Sequence, residues 1–270
     1  HDRLGFRYWK HSPFKEHLTG WSTGRFLSLW TAIIKSGFSY ITSPEVVSTT
    51  MGETVAPRAN GAKAARRFIY RLIFFYVLGS LSIGVIVSSN DKKLFGGASD
   101  SSGSPFTIAI QNAGIKGLNH VINVAILISA ESAGNSFLYS ASRALFSMGQ
   151  VGNAPRFFAR VNRFGIPIYS VAASSLFGFL SYLNVSSASA NVFSWLSNIS
   201  TISGFIGWLA IGFAYLRWRK AIKFHGLSDR VPYRSYLEPY GAYYVIFMMS
   251  IITITNGYAV FFDFNGADFV

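Results

Sequence analysis

The chain has no cysteine, so disulfide scaffolds, thiolate metal sites and cysteine nucleophiles are excluded. Charge is also scarce, at 13% of 270 residues, about half the share a soluble domain carries. Acidic residues number only 11 against 24 Lys and Arg. The five histidines (His1, His11, His17, His120 and His225) show no metal-ligand spacing, and no glycine-rich phosphate loop is present. Gly20-Trp21-Ser22-Thr23-Gly24 fits G-x-S-x-G, but no apolar strand precedes it, and it reads as loop and helix-capping residues. A soluble enzyme is therefore a poor fit.

What is abundant is apolar. Hydrophobic residues make up 50% of the chain, and Phe alone occurs 25 times. A surface cannot be covered with so little charge, and a lipid-embedded protein resolves the difficulty. The net charge of +13 does not indicate nucleic acid, because the basic residues fall in short runs between apolar stretches rather than along one face. No nucleic-acid partner is expected.

A helix crossing about 30 Å of hydrocarbon needs about 20 mostly apolar residues. Six stretches qualify, at about 26–51, 68–88, 118–145, 167–183, 192–215 and 240–262. The whole chain then reads as a single truncated transmembrane domain, all-α and multi-pass. Pro167 and Pro239 stand at or just before span starts, where a missing N–H costs nothing. Ser80/Gly84, Ser174/Gly178 and Ser203/Gly207 offer small residues at spacing four for helix packing. His1-Asp2-Arg3 does not resemble a signal peptide, and with no initiator Met the chain reads as beginning inside something larger.

Lys/Arg asymmetry sets the expected orientation. Fifteen basic residues fall on one side, including Arg58, Arg66, Arg156, Arg217, Arg219 and Arg234, and eight on the other. The richer side is expected to be cytoplasmic, so the first span runs from outside to inside. Asn184-Val185-Ser186, a glycosylation acceptor pattern, falls on the expected outer side.

The first span breaks the rules of a span. At Tyr40-Ile41-Thr42-Ser43-Pro44-Glu45 a proline removes an N–H, restricts Ser43 and sits beside a carboxylate. Non-helical backbone at membrane depth persists only where protein or a water-filled cavity surrounds it, and transporters use such breaks as substrate and ion sites. The alternative is a plain proline kink. Two more charges lie within spans. Lys35 is about 12 Å below the outer start of the first span, and Glu131 about 20 Å down the third. Intramembrane charges usually face the interior, so both are expected to face the cavity at the break.

Several linked motifs are familiar. They are Gly5-Phe6-Arg7-Tyr8-Trp9-Lys10; Gly52-Glu53-Thr54 through Pro57-Arg58; Ser132-Ala133-Gly134-Asn135 with Tyr139 and Ser142-Arg143; Gly152-Asn153-Ala154-Pro155; and Ser203-Gly204-Phe205 through Trp208. In this order they resemble the yeast amino acid transporter family of the amino acid–polyamine–organocation superfamily, along essentially the whole chain. The resemblance implies a partial leucine-transporter-like 5+5 inverted-repeat fold, the six spans being helices 6–11 of 12. It implies amino-acid transport in a fungal plasma membrane, coupled to protons, with acidic or broadly chosen amino acids as substrates. No enzyme activity and no cofactor are expected. The expected substrate-facing residues are Tyr40, Ile41, Thr42, Ser43 and Glu45, with Glu131, Ser132 and Asn135 from the eighth helix. The expected partners are the amino acid, protons, the lipid bilayer and the missing N-terminal helices 1–5. The chain departs from the family in Ser43-Pro44-Glu45, where Gly normally precedes the acid by two residues, and in Ala56 in place of Asn before Pro57. A truncated remnant without transport, and a permease-like nutrient sensor, are the competing readings.

Overall fold

The computed structural model describes residues 5–10, 14–40, 43–94, 104–115, 117–185, 189–231 and 234–262. Among these, every regular element is helical. There are α1 (Trp21–Tyr40), α2 (Ser43–Thr50), α3 (Pro57–Ile86), α4 (Pro105–Asn112), α5 (Leu118–Val151), α6 (Ile168–Gly178), α7 (Ser189–Phe224) and α8 (Tyr240–Thr255), with short 3-10 turns between them.

Three stretches, Ala59–Ile86, Leu118–Val151 and Trp195–Phe224, are long and apolar enough to cross a membrane. Ile168–Tyr182 and Tyr240–Thr255 are apolar but shorter. The first expected span is divided between α1 and α2. The other five each hold one helix; α3 and α7 outrun their spans at the basic ends, α5 runs on to Val151, and α6 and α8 stop short of theirs. Lys63, Arg66, Arg67 and Arg71 lie inside α3, Arg143 inside α5, and Arg217 to Lys223 inside α7. Arg and Lys are good helix formers, and their long stems reach interfacial water from a helical backbone. Helix α4 was not expected from the sequence. Its eight residues rise only about 12 Å, too short for a span, yet Thr107 and Ile108 are fully buried.

Helix ends follow local chemistry. Pro167 precedes α6 and accepts from the Val171 N–H, and Pro239 caps α8. Both prolines therefore stand where the sequence indicated. Helix α5 ends on Gly152 at φ 86°, a left-handed position that favours glycine, and the next N–H, of Asn153, returns to the Met148 carbonyl. Ala56, before α3, has φ 51°, a conformation that a residue with a Cβ adopts at a cost. The Gly20–Gly24 stretch is a bend followed by the first turn of α1, in keeping with its capping reading.

The described residues form two compact units. The first comprises residues 1–14 and 63–171. Here α4 packs on α5, and Ser170 Oγ, fully buried, donates to the Phe158 carbonyl at 2.9 Å. Trp9 Nε1 donates to the Gly84 carbonyl at 2.9 Å. Phe74, Phe75 and Val77 of α3 are exposed on more than one side of the helix, as suits a helix against lipid rather than water.

The second unit comprises residues 15–62 and 172–270. Its core is Ile34 of α1, Phe205 of α7 and Ile252 of α8, with Trp30, Trp208, Met249 and Tyr258 packed around them. Gly37 lets α1 approach α7, because a Cβ there would overlap the ring of Phe205, which is only 2% exposed. Helix α1 is also tied to the end of α8. Trp30 Nε1 donates to Thr255 Oγ1 at 3.0 Å, and Tyr258 OH donates to the Leu27 carbonyl at 3.0 Å.

Candidate functional site

Two polar places in the second unit flank that apolar core. The first is Glu45. Pro44 is the second residue of α2, where its missing N–H falls among donors with no intrahelical partner, so the helix starts there without loss. This puts Glu45 in the first turn, where the helix dipole favours an acid. Trp208 of α7 donates its indole N–H to Glu45 Oε1 at 2.5 Å. Glu45 Oε2 is buried and has no hydrogen-bond partner among the described residues. A buried carboxylate oxygen left unpaired is costly, and binding a proton or a cation relieves the cost.

The second is a cavity of about 580 Å³. Thr31, Lys35 and Phe38 reach it from α1, and Ser197, Asn198 and Thr201 from α7. Asn256 and Tyr258 also line it, as do His17 and Leu18 from before α1. The volume lies within the range of small-molecule sites. Its lining is what an amino acid requires: a cation for the carboxylate, amides and hydroxyls for hydrogen bonds, and Ile34 and Phe38 as apolar wall. Lys35 has no ion-pair partner among the described residues, so its charge is available to a bound anion.

The residues singled out from sequence are distributed unevenly. Tyr40 ends α1, Ser43 begins α2 and Glu45 follows. Ile41 and Thr42, at the expected break, lie outside the described residues. Glu131, Ser132 and Asn135 are exposed residues of α5, in the first unit; Ser132 accepts at its carbonyl from Ser136 Oγ at 3.0 Å. The residues lining the Lys35 cavity all belong to the second unit. Sequence reasoning missed Trp208 as Glu45's partner, and Asn198 and Thr201 as cavity residues. The last two were legible only as polar residues one turn apart in an uncharged span.

Other charged groups lie at helix ends. Arg219 Nε donates to Glu238 Oε1 at 2.7 Å, and this hydrogen bond holds the Glu238 carboxyl below the usual range. Asp91 is lowered too, by the Asn112 amide and the Lys93 N–H.

These features define a class: a multi-pass helical membrane protein whose helices carry a carboxylate and an ammonium beside one apolar core. The chain belongs to the amino acid permease family, whose sequence profile matches residues 1–270. It is similar to the proline-specific permease of Emericella nidulans, at 54% identity over all of this chain and 50% of that protein. The proline-specific permease of Saccharomyces cerevisiae is 51% identical over all of the chain and 44% of its own length. The basic amino-acid permease of the same yeast is 38% identical, with 99% of the chain and 47% of that protein covered. The chain thus spans about half the length of the curated relatives it matches. No solved structure matches it. The family is one of transporters, not enzymes, in agreement with the motifs read from the sequence.

Proposed function

We propose that the protein carrying this chain imports amino acids across a fungal plasma membrane, driven by protons. The observation that carries the reading is the pairing of a cavity holding an unneutralised Lys35 with a half-satisfied buried carboxylate, Glu45, in one helical unit. Lys35 binds the substrate carboxylate. Asn198, Thr201 and Asn256 complete its hydrogen bonds, and Phe38 faces its side chain. Glu45 Oε2 takes the coupling proton or the substrate ammonium, and Trp208 holds the carboxylate in place. Tyr40, Ile41, Thr42 and Ser43, with Glu131, Ser132 and Asn135 of α5, are the further residues proposed to face the substrate.

The relatives with the highest identities above are named proline-specific, so the substrate proposed first is proline or a similar small neutral amino acid. The acidic or broad substrate range expected from the sequence draws no support from those names. The architecture proposed is the leucine-transporter-like 5+5 fold, this chain supplying helices 6–11 of 12. Helices 1–5 would provide the other half of the substrate site, and the basic loops would face the cytoplasm. The test is uptake of labelled proline and a panel of other amino acids by the full-length gene product in a permease-deficient yeast. Uptake that rises with an inward proton gradient supports the proposal, and no uptake of any amino acid overturns it.

A further inference from the structure

A second and larger cavity, of about 1030 Å³, lies apart from the residues proposed to bind substrate. It runs along one face of α7, from Trp208 through Tyr215 and Arg219 to Lys223, facing the first turns of α8. Fifteen residues at 1.5 Å per residue make it about 22 Å long. Half of a bilayer including its headgroups is about 20–22 Å thick, so the groove is as long as one leaflet is deep.

Its two ends differ chemically. At the Trp208 end the walls are Ile211, Val245 and Met249. At the other end stand Arg219, Lys223 and Arg234, with Glu238 as the one acid in the lining. Arg219 is engaged by Glu238, and Arg234 donates to the Ser228 carbonyl at 2.6 Å, a contact that leaves its charge uncancelled. Lys223 has no ion-pair partner among the described residues. Two positive charges are therefore in surplus. Aromatic residues gather at the same level, with Tyr215 and Trp218 on α7 and exposed Tyr240, Tyr243 and Tyr244 opening α8. Such a belt marks the height of lipid headgroups, so the cationic end sits where phosphates lie.

Close packing disfavours leaving the apolar end of the groove empty. We propose that it is a binding site for one anionic phospholipid of the leaflet on the basic side. Lys223 and Arg234 hold the phosphate, and an acyl chain lies along α7 as far as Trp208. Basic pockets between membrane helices recognise anionic headgroups in this way. A free phosphate would use only the cationic rim. A zwitterionic lipid carries no net charge to offset the two surplus cations. Because Trp208 also donates to Glu45, the tip of the acyl chain touches the residue that positions that carboxylate.

The test uses the purified full-length protein in detergent, titrated with phosphatidylserine or phosphatidylcholine and read by native mass spectrometry. One retained phosphatidylserine, with phosphatidylcholine washed away, is expected. At about fivefold per cation, the pair Lys223→Gln and Arg234→Gln lowers phosphatidylserine affinity about 25-fold. Ala242→Phe, which fills the groove and keeps both cations, abolishes retention. Photoactivatable phosphatidylserine, with the reactive group in its acyl chain, labels residues 241–249 of the unsubstituted protein, a readout independent of how the variants fold. Equal retention of the two lipids, unchanged affinity in the double variant, or label elsewhere overturns the proposal. So does full competition by inorganic phosphate, which would assign the site to a free anion. A crosslinker at Ala242 that captures another segment of the same protein would assign the groove to that segment and overturn it as well.

Discussion

The indole N–H of Trp208, on α7, donates to the carboxylate of Glu45 in the first turn of α2, at 2.5 Å and across 163 positions of sequence. The bond satisfies Oε1 and leaves the buried Oε2 without a partner. Trp208→Phe keeps the ring's packing on Phe205 and removes the donor. It is expected to lower uptake by the full-length protein about tenfold, the effect of losing about 1.5 kcal/mol from a hydrogen bond to a charged group. Glu45→Gln is expected to lower it further and to flatten its dependence on external pH, because an amide cannot take up a proton. Proton-gradient-dependent uptake that survives Glu45→Gln would remove Glu45 from the coupling role.

Lys35 offers a point charge to the cavity of the second unit. Lys35→Met keeps most of the stem and deletes the charge. Its expected effect is a rise in KM for the amino acid by at least about tenfold, a loss of about 1.5–3 kcal/mol, with partial recovery in Lys35→Arg. Transport kinetics across substrate concentrations measure this. A fall in kcat with KM unchanged would place Lys35 outside the substrate contact.

Gly37 and Phe205 fix how closely α1 and α7 approach. Gly37→Ala is expected to destabilise the protein by about 1–3 kcal/mol through overpacking. Gly37→Ala combined with Phe205→Leu should recover part of that loss, since the smaller side chain vacates the space. Thermal unfolding in detergent checks both, and a stability loss in the double variant equal to the sum of the singles would contradict the contact.

The Arg219–Glu238 pair makes a pH prediction. Its hydrogen bond lowers the folded-state pKa of Glu238 below the ordinary value near 4.5. A depressed carboxylate contributes stability above its unfolded pKa and loses it as pH falls through the folded one. Glu238→Gln should therefore unfold at a lower temperature than the unsubstituted protein at pH 7. The difference should shrink as pH falls below about 4.5. A difference that is constant with pH would mean that the pair's charge plays no part.

Ala56 adopts φ 51° immediately before α3. Asn tolerates this region better than Ala, and Gly is free in it. Ala56→Asn or Ala56→Gly is expected to stabilise the protein by about 0.5–1 kcal/mol. A melting temperature unchanged in both variants would show that the position carries no strain.

Much of the architecture was legible in the sequence, because burial in lipid imposes it directly. The runs around Phe74-Phe75 and Tyr240–Thr255 are too apolar for water, and Pro167 and Pro239 announce helix starts. Helix ends were less legible. The basic tails of α3 and α7 looked like loops, since a window of hydropathy records where apolar residues stop and not where the backbone uncoils. Helix α4 escaped because eight residues are too few to span. Within the site, Glu45 and Lys35 stood out as charges among apolar residues.

The sequence by itself determined that this protein is helical, spans a membrane and belongs with the permeases. Each of these follows from the identity and order of side chains along the chain. Only the tertiary structure decided that Trp208 answers Glu45 and that Asn198 and Thr201 share a cavity with Lys35. The physical reason is that such pairings depend on which faces of α1, α7 and α8 meet. A single Gly37 against a single Phe205 fixes that choice for α1 and α7 as effectively as any charge does.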